Sequence, residues 1–338
     1  EGNSSFYHTV FRDGNFLRMY YRGAHMSETS AEFDHSVVCY AESGDGIHWT
    51  KPELGLVEFN GSKKNNIIAD WMGGHTLAAF RDTNPDSKAD ERYKAVVKRY
   101  EPGVYEPGLY PLKSPDGIHW SMMSETPGIR KGAFDSQNLA FWDTVRECYV
   151  DYHRELRGRV EGQPGAGVRD IMTCTSDDFL TWTEPELLEY PGAPSEHLYT
   201  NQITPYFRAP HIYMGFPKRF VPSHTKMVHT YAGTSDAVFM TSRDGKSFKR
   251  WAEALIRPGP QRERWVDRNN MVAWGIIETR SDLPGTPNEL SIYCVEGYRD
   301  FEGCKIRRYT QRMDGFVSAQ APLSGGELLT KPITFEGS

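Results

Sequence analysis

Short segments in which apolar and polar residues alternate follow one another along the chain, separated by small clusters of glycine, proline, asparagine and aspartate. Alternation with a period of two predicts strands that bury one face, and the separating clusters predict turns between them. The pattern therefore indicates an all-β protein built from many short antiparallel strands.

One turn phrase, Ser-x-Asp-Gly followed by an aromatic residue, returns along the chain. Copies begin at Ser43, Ser114, Ser176 and Ser242, at intervals of about 60 to 70 residues, and a weaker fifth copy surrounds Asp314. Aspartate bonds its own backbone there, glycine supplies a positive φ, and the aromatic ring packs under the turn. Each interval has room for four strands, which is one propeller blade. The sequence thus predicts a single five-bladed β-propeller with four-stranded antiparallel blades, at approximately residues 1–70, 71–133, 134–195, 196–265 and 266–338.

The outermost strands are the least regular part of this pattern. In blade 1 the outer strand is predicted at residues 55–59 or at 65–69, and in blade 5 at 328–335. Because this last segment leads outward as a strand, we expect that a further C-terminal β-rich module can follow it.

Composition restricts the classes of function. The chain of 338 residues is 38% hydrophobic and 13% aromatic, with 31 glycines and 21 prolines, as suits a turn-rich globular protein. The net charge is −6 with acids and bases interspersed, which excludes a basic nucleic-acid-binding stripe. Since no apolar stretch approaches the roughly 18 residues of a membrane span, we expect neither nucleic acid nor membrane as partner.

The five cysteines form no CxxC pair and no zinc-binding spacing. Cys148 and Cys174 fall on neighbouring predicted strands, as do Cys294 and Cys304, so disulfides would form in an oxidising compartment. Small buried apolar side chains are the favoured alternative.

Antiparallel strands bring segments of every blade to one rim. With strands counted outward from the axis, the start of the first, the end of the second and the start of the third lie together where the funnel opens. We call this the funnel rim, and the opposite one, which carries the Ser-x-Asp-Gly phrases, the turn rim. Polar residues are dense at the funnel rim, in the runs 135–138, 153–155, 196–202 and 269–270. This convergence predicts a polar pocket for a hydroxyl-rich ligand.

Three carboxylates of the funnel rim are candidates for catalysis. Asp135 and Glu196 each precede an innermost strand, and Glu155 lies at the end of the second strand of blade 3. Glycoside hydrolysis needs one carboxyl group that protonates the leaving oxygen and another that activates water or attacks the sugar. We expect Glu196 to be the general acid, Asp135 the base or a modulator of a neighbouring pKa, and Glu155 the third carboxylate. The alternative is that each only bonds loop backbone.

Histidines, amides and guanidiniums of the same rim are candidate substrate contacts. Histidine titrates near neutrality, and several arginines, Arg99 among them, would suit a carboxylated or sulfated sugar. Salt bridges within the rim are the alternative for the arginines. Tyr7 and Tyr199 are candidates for stacking on sugar faces, with core packing as the alternative. The predicted substrate-binding residues are His8, Arg22, His75, Gln137, His153, Arg154, His197, Asn201, Arg219 and Asn270.

The turn phrases, together with the runs 134–138, 169–171 and 176–182, make the chain resemble the five-bladed β-propeller glycoside hydrolases of the family 43, 32 and 117 types. This resemblance implies three acids around the funnel floor, and Asp135 and Glu196 match two of them by blade. The first innermost strand carries Tyr7 and His8 where those families carry aspartate. The resemblance implies no required cofactor, and an axial divalent cation such as Ca²⁺ in some members. The segment around Asp82 resembles a motif of fructan-cleaving propellers, but the strand pattern places it on the turn rim.

Together these features predict a secreted or periplasmic glycoside hydrolase that acts in the central funnel on a polysaccharide or oligosaccharide, with anionic sugars among the candidate substrates. Two alternatives remain open because a fold does not fix a function. One is a polysaccharide lyase, and the other is a glycan-binding propeller without catalytic activity.

Overall fold

The computed structural model describes residues 2–26, 33–71, 76–99, 103–159, 166–224, 233–298, 303–332 and 334. Within these ranges the chain forms five antiparallel sheets and two 3₁₀ turns, Ala89–Glu91 and Arg262–Arg264, with no α-helix. The five sheets are the blades of a β-propeller, which confirms the predicted fold class. No helix of the described residues is long and apolar enough to cross a membrane.

The first three sheets have four strands each, in simple chain order. Blade 1 contains β1 (Ser4–Asp13), β2 (Phe16–Met26), β3 (Phe33–Ser43) and β4 (Ile67–Ala69). Blade 2 contains β5 (Phe80–Arg81), β6 (Tyr93–Arg99), β7 (Gly108–Ser114) and β8 (Ser121–Met122). Blade 3 contains β9 (Leu139–Asp143), β10 (Cys148–Arg157), β11 (Val168–Ser176) and β12 (Glu186–Leu187). The outer strand of blade 1 is therefore the second of its two predicted alternatives.

In the last two sheets the inner strands are interrupted. Blade 4 contains β13 (His197–Leu198), β14 (Thr204–Tyr206), β15 (Ala209–Gly215), β16 (Lys218–Val221), β17 (Thr234–Ser242) and β18 (Lys249–Ile256). Blade 5 contains β19 (Met271–Val272), β20 (Ile277–Thr279), β21 (Glu289–Glu296) and β22 (Lys305–Arg312). Each sheet falls within its predicted range of residues. The outer strand predicted at 328–335 was wrong, since residues 328–332 and 334 form none.

The innermost strands of blades 1 and 5 close the ring. The amide of Val10 donates to the carbonyl of Trp274 at 2.7 Å, and the amide of Trp274 donates to the carbonyl of His8 at 2.8 Å. These bonds join residues that are more than 260 positions apart in the chain, and the outer strands take no part in them. The two ends of the propeller therefore meet at the axis.

The turn phrases fold as their sequence predicts. In the first copy the Ser43 hydroxyl accepts from the Gly46 amide at 2.8 Å, and Asp45 accepts from the two following amides at 2.8 Å each. The third copy has Phe179 in place of glycine, and it adopts a left-handed φ of 66° with its ring fully buried. Aromatic packing under the turn holds this strained conformation.

Tyrosines of the second strands bind blades together through these turns. Each donates its hydroxyl to a glycine carbonyl in the turn phrase of the following blade, and blade 1 follows blade 5 in the ring. The bonds run from Tyr20 to Gly117 at 2.9 Å, from Tyr152 to Gly245 at 2.7 Å and from Tyr293 to Gly46 at 2.7 Å.

A second repeated device lies on the same rim in blades 1 to 3. An aspartate that ends or follows the innermost strand contacts a basic residue of its own blade and a tyrosine hydroxyl of the next. These groups, which we call the turn-rim triads, are Asp13 with Arg18 and Tyr93, Asp82 with Lys94 and Tyr149, and Asp143 with Arg146 and Tyr213. The predicted turn-rim position of Asp82 is therefore correct, and its carboxylate belongs to the framework.

Candidate functional site

Two tyrosines meet at the funnel rim, where innermost segments of blades 1, 3 and 4 converge. The hydroxyl oxygens of Tyr7 and Tyr199 are 2.7 Å apart, and the Tyr7 hydroxyl oxygen lies 3.4 Å from the carbonyl oxygen of Asp135. These residues are up to 192 positions apart in the chain. We call Tyr7 and Tyr199 the tyrosine pair, and their surroundings the candidate site.

The backbone at Tyr7 is unusual. Its φ is 56°, in the left-handed region, and the pairing of β1 with β2 shifts register between Phe6 and Thr9. Such strain in a bulky residue is uncommon and is concentrated at functional sites. The shift breaks the simple alternation of side chains along β1. Tyr7 therefore reaches the neighbouring tyrosine, while His8 takes a different direction.

Four cations surround the ring of Tyr199. The Nζ atom of Lys218 lies 4.4 Å from the ring centroid, and the guanidinium carbons of Arg154, Arg268 and Arg169 lie at 5.3, 5.6 and 5.9 Å. Each lies within the range of a cation–π interaction. We call these four residues the cationic ring.

This environment separates the acidities of the two tyrosines. Burial disfavours the phenolate of Tyr199, but the charges of Arg268, Arg154 and Lys218 outweigh burial and lower its pKa to about 8. Burial, with the neighbouring phenol, raises the pKa of Tyr7 well above its usual value. The pair therefore combines a readily ionised hydroxyl with one that stays protonated, which is an arrangement suited to proton transfer.

Asp135 is the predicted catalytic residue that lies closest to this pair. Its carboxylate contacts Nη2 of Arg154 and is 63% exposed, so it is open to a ligand from solvent. Arg154 is in turn fixed by a 3.1 Å bond from its Nε to the carbonyl of Ala133. The structure thus brings together the predicted residues Asp135 and Arg154 with Tyr199.

Glu196 and Arg219 lie together, away from the tyrosine pair. Arg219 and Arg250 each donate to one oxygen of Glu196, at 3.0 and 2.5 Å, and Arg219 also pairs with Asp236 at 2.7 Å. Glu196 lines a cleft of about 650 Å³ that also contains Tyr190. Its role as a general acid stays a prediction, and here its carboxylate is engaged in ion pairs.

Glu155 and His197 also have local partners. One oxygen of Glu155 accepts from the amide of Leu156 at 2.6 Å, and Nδ1 of His197 accepts from the amide of Arg169 at 3.2 Å. Burial, with the nearby positive charge of Arg169, lowers the pKa of His197. His197 is thus neutral near pH 7 and positions the strand that carries one member of the cationic ring.

Several predicted substrate contacts are buried in the framework. The amide of Gln137 donates to the hydroxyl of Thr9 at 2.9 Å, that of Asn201 to the carbonyl of Tyr152 at 3.2 Å, and that of Asn270 to the carbonyl of Ser235 at 2.9 Å. The bonds of Asn201 and Asn270 join neighbouring blades, whereas the bond of Gln137 joins blade 3 to blade 1. Their proposed contact with substrate stays untested.

His8 and Arg22 turn from the axis toward other groups. His8 lines a cleft of about 500 Å³ that also contains Tyr21 and Cys304, and its two ring nitrogens contact no polar group of the described residues. Burial lowers the pKa of His8 to about 3. The guanidinium of Arg22 lies 4.4 Å from the ring centroid of Phe6 and donates to a serine hydroxyl. His75 lies outside the described residues.

His153 belongs to the one group of possible metal ligands found among the described residues. Its Nδ1 contacts Asp151, its Nε2 bonds the carbonyl of Lys131 at 2.9 Å, and Cys174 lies across the strand pair from Asp151. All three side chains are buried, and one oxygen of Asp151 has no partner. This group is confined to β10 and β11, so the predicted axial Ca²⁺ remains a prediction. The five cysteines of the chain are all free in the structure.

Sequence reasoning missed the role of Arg268 and Asp267. Arg268 has a left-handed φ of 68° and donates to the hydroxyl of Tyr298 at 3.0 Å, while Asp267 accepts from Lys218 at 2.8 Å. Both lie in the irregular segment between β18 and β19, where no strand pattern marks a direction toward the axis. The arginine directly before Asn269 and Asn270 was the one available signal.

Solved structures of carbohydrate-active proteins share this fold. A structure described as a glycoside hydrolase has a TM-score of 0.57 at 15% identity, covering 94% of this chain and 90% of its own. The β-1,2-mannobiose phosphorylase from Listeria innocua has a TM-score of 0.58 at 11% identity, with coverages of 92% and 90%. An N-acetylgalactosamine deacetylase from F. plautii has a TM-score of 0.55 at 14% identity, with coverages of 87% and 80%. At these identities the likeness shows the fold, and it confirms the propeller that the sequence resemblance implied.

The sequence comparisons add no closer relationship. No family model matches the chain. No curated protein matches it either. The function must therefore be argued from the candidate site.

Proposed function

We propose that this protein is a carbohydrate-active enzyme that hydrolyses a glycosidic bond at the funnel rim. The fold supports this proposal, because a glycoside hydrolase, a mannobiose phosphorylase and a deacetylase crystallised with a trisaccharide share it. Fold alone does not fix a reaction, so the site carries the argument.

The observation that carries the proposal is the convergence of Tyr7, Tyr199 and Asp135. The Tyr7 hydroxyl lies within 2.7 Å of the Tyr199 oxygen and 3.4 Å of the Asp135 carbonyl, and the Asp135 carboxylate is open to solvent. A sugar bound there would meet a carboxylate, two phenolic hydroxyls and a cationic wall. An exposed carboxylate at Asp135 beside the strained backbone of Tyr7 is a combination that is found at enzyme sites.

In the proposed reaction Asp135 acts at the anomeric carbon of the glycosidic bond. It accepts a proton from an attacking water or attacks the anomeric carbon itself, while the bond to the leaving oxygen breaks and that oxygen takes a proton. One water is consumed for each bond cleaved. Glu196 as the acid and Glu155 as a third carboxylate remain part of the proposal. For Glu196 to act, its two arginine partners would have to release it.

A second candidate is β-elimination from a uronate, and the environment of Tyr199 favours it. A tyrosine with its pKa lowered to about 8 can accept the proton on the carbon next to the sugar carboxylate. The bond from the adjacent carbon to the leaving oxygen then breaks, a double bond forms, and the leaving oxygen takes a proton, so that the base is restored and no water is consumed. Cations beside the base would stabilise the charge that develops on the carboxylate.

One assay separates the two reactions. The purified chain is incubated with neutral, carboxylated and sulfated oligosaccharides, and reducing ends are measured together with ultraviolet absorbance. Asp135→Asn and Tyr199→Phe are tested beside it, with Glu186→Gln, an exposed carboxylate of β12, as the control. Thermal unfolding of every variant shows whether each one folds.

Hydrolysis predicts new reducing ends without absorbance, and a loss of about 100-fold or more in Asp135→Asn. Elimination predicts absorbance, and a comparable loss in Tyr199→Phe. Cleavage that survives both substitutions would remove the candidate site from the proposal. Binding without any product would instead indicate a glycan-binding propeller.

Location and metal dependence complete the proposal. We place the protein outside the cytoplasm, secreted or periplasmic, because polysaccharide substrates of this kind are found there. An axial divalent cation such as Ca²⁺ is an optional part of the proposal, and activity after exhaustive chelation tests it.

A further inference from the structure

We infer that the cationic ring around Tyr199 is a subsite for an acidic group, a carboxylate or a sulfate, carried by the saccharide. The inference deepens the proposed function, since it takes the ligand at this rim to be a sugar. It does not depend on whether the reaction is hydrolysis or elimination.

The charge balance of the ring is the first argument. Four cations lie within 6 Å of the Tyr199 ring, and among the described residues two carboxylates pair with them. Asp135 contacts Arg154, and Asp267 lies 2.8 Å from Lys218 and 3.5 Å from Arg268. An excess of two positive charges beside buried phenols is costly unless an anion completes it.

The pairing of Arg169 supports the same conclusion. Its Nη1 lies 3.5 Å from Nδ1 of His197, a neutral imidazole nitrogen, and its guanidinium lies over the rings of Tyr199 and Phe220. No carboxylate of the described residues pairs with it. Guanidinium groups bind planar oxyanions through two parallel bonds, so Arg169 can still receive a sugar acid.

The ring is also graded in access. Lys218 is 1% exposed and Arg154 is nearly buried, whereas Arg268 is 26% exposed and Arg169 is half-buried. An incoming anion would therefore contact Arg268 and Arg169 directly. The buried charge of Lys218 would attract it without direct contact. The exposed Asp135 carboxylate beside the cationic ring would repel a second acidic group. An uncharged part of the sugar would therefore lie next to Asp135.

The arginines first expected to bind an acidic sugar differ from these. Arg219 is taken by Glu196 and Asp236, and Nη1 of Arg99 lies 2.7 Å from the sulfur of Met122. Arg154 alone belongs to both sets. An acidic sugar therefore remains the expected ligand, but we infer that mostly different side chains bind it.

Tyr199 provides a signature that separates this subsite from a general positive surface. A bound anion favours the protonated phenol, and a phenolate repels the anion, so the two ionisations are linked. Since the pKa of Tyr199 is lowered to about 8, affinity for an acidic sugar should be constant below that pH. Above it, affinity should fall by about tenfold for each pH unit.

The test measures binding by calorimetry, independently of turnover. The probes are a hexuronic acid disaccharide, its sulfated neutral counterpart, the neutral disaccharide itself and inorganic phosphate. The variants are Arg169→Gln, which leaves no carboxylate unpaired, and Tyr199→Phe. Arg243→Gln, an exposed arginine of the turn rim, is the matched control. Tyrosinate absorbance is titrated with and without each probe.

We expect the acidic disaccharides to bind at least tenfold more tightly than the neutral one, and the better of the two identifies the carboxylate or the sulfate as the natural group. Arg169→Gln should weaken this binding by about tenfold, and Arg243→Gln should leave it unchanged. Tyr199→Phe should remove the decline in affinity above pH 8. Saturating acid should move the tyrosinate titration to higher pH.

Equal binding of the neutral and acidic disaccharides, or no effect of Arg169→Gln, would overturn the inference. Phosphate that binds as tightly as the sugar acids and displaces them would also overturn it, in favour of a site for a free oxyanion. Cleavage of neutral sugars alone would leave the proposed function standing while this inference fails. Acid-selective binding without cleavage would do the reverse.

Discussion

The two rims of the propeller use the same residue types with opposite charge balance. On the turn rim, Asp82 accepts from Lys94 and Tyr149 at 2.7 Å each, so a buried cation, an anion and a phenol satisfy one another. On the funnel rim, Tyr199 lies among four cations that two carboxylates only partly balance. Acid, base and tyrosine therefore stabilise the fold on one rim and remain available for a ligand on the other.

The pKa shifts express the same contrast. Burial opposes ionisation of Asp13, but bonds from Tyr93 and Arg18 overcome it and lower the pKa of that carboxyl. There the phenol of Tyr93 donates to the carboxylate, and burial together with that bond raises the pKa of Tyr93. At the funnel rim the phenol of Tyr199 is itself the group that ionises more readily. A tyrosine is structural where an anion accepts from it and reactive where cations surround it.

The largest expected effect breaks a turn-rim triad. Asp82→Asn removes the closer of the two carboxylates beside Lys94, whose side chain is 3% exposed, and leaves only Glu91 at 3.6 Å to balance the buried charge. We expect a loss of about 3 kcal/mol in the free energy of unfolding, measured by chemical denaturation. Asp135→Asn, its funnel-rim counterpart, should cost less, about 1 to 2 kcal/mol, because solvent screens this 63% exposed carboxylate even though its partner Arg154 is 9% exposed.

A double variant tests the cause of this loss. Asp82→Asn combined with Lys94→Met removes both charges, and should recover much of the stability lost by the single substitution. Equal losses at Asp82 and Asp135, or no recovery in the double variant, would contradict the division of the rims into structural and functional parts.

The next effect concerns His8, which lies behind the tyrosine pair between blades 1 and 5. Its folded pKa of about 3 is below the unfolded value of 6.5, so the unfolded chain binds the proton first as pH falls. Stability is thus full above pH 6.5 and declines below it, by about 1.4 kcal/mol for each pH unit from His8 alone. From pH 6 to pH 4 this amounts to about 3 kcal/mol.

Denaturant midpoints measured for His8→Phe across this range isolate that contribution. The variant keeps a ring against Tyr21, which stacks on His8 at 5.5 Å, and cannot bind a proton. Its stability should vary less steeply with pH than that of the parent chain. Parallel curves for the two proteins would mean that His8 is protonated in the folded state.

A smaller effect separates two glycines of the turn rim. Gly117 has a φ of 79°, and a Cβ atom there would lie 2.5 Å from the Tyr20 hydroxyl, whereas at Gly14, with a φ of 62°, nothing lies within 4 Å. Gly117→Ala should therefore cost about 2 to 3 kcal/mol, and Gly14→Ala about 1 kcal/mol for the left-handed backbone alone. Thermal unfolding compares the two. A smaller cost at Gly117 would show that the blade contact through Tyr20 yields easily.

The propeller itself could be predicted because its signals are local and repeated. The Ser43 phrase and its copies form turns through bonds within a few residues, and the same bond recurs once in each of blades 1 to 4. The interrupted inner strands of blade 4 could not be predicted, because Gln202 leaves the extended region with a φ of 45° and no residue type announces it.

The candidate site was predicted in part for the same reason. Asp135 and Arg154 follow from strand positions, and both lie beside Tyr199. The direction of His8 depends on the register shift at Tyr7, which a pattern of period two does not contain. Arg268 comes from an irregular segment and reaches the site through tertiary packing. Residues on or shortly before a regular strand, such as Arg154 and Asp135, were predictable, and those placed by strained backbone or in long irregular segments were not.

The smallest expected change is also the most direct comparison of the rims, since it removes one tyrosine hydroxyl from each. Tyr293→Phe deletes the 2.7 Å bond to the Gly46 carbonyl between blades 5 and 1, and should cost about 1 kcal/mol of stability without altering activity. Tyr7→Phe deletes the bond to Tyr199, which helps to lower the pKa of that phenol, so the tyrosinate titration should move to higher pH. For both variants, unfolding measures the change in stability and ultraviolet titration measures the ionisation of tyrosine. If Tyr7→Phe instead loses stability and leaves the titration unchanged, the tyrosine pair is a framework contact like those of the turn rim.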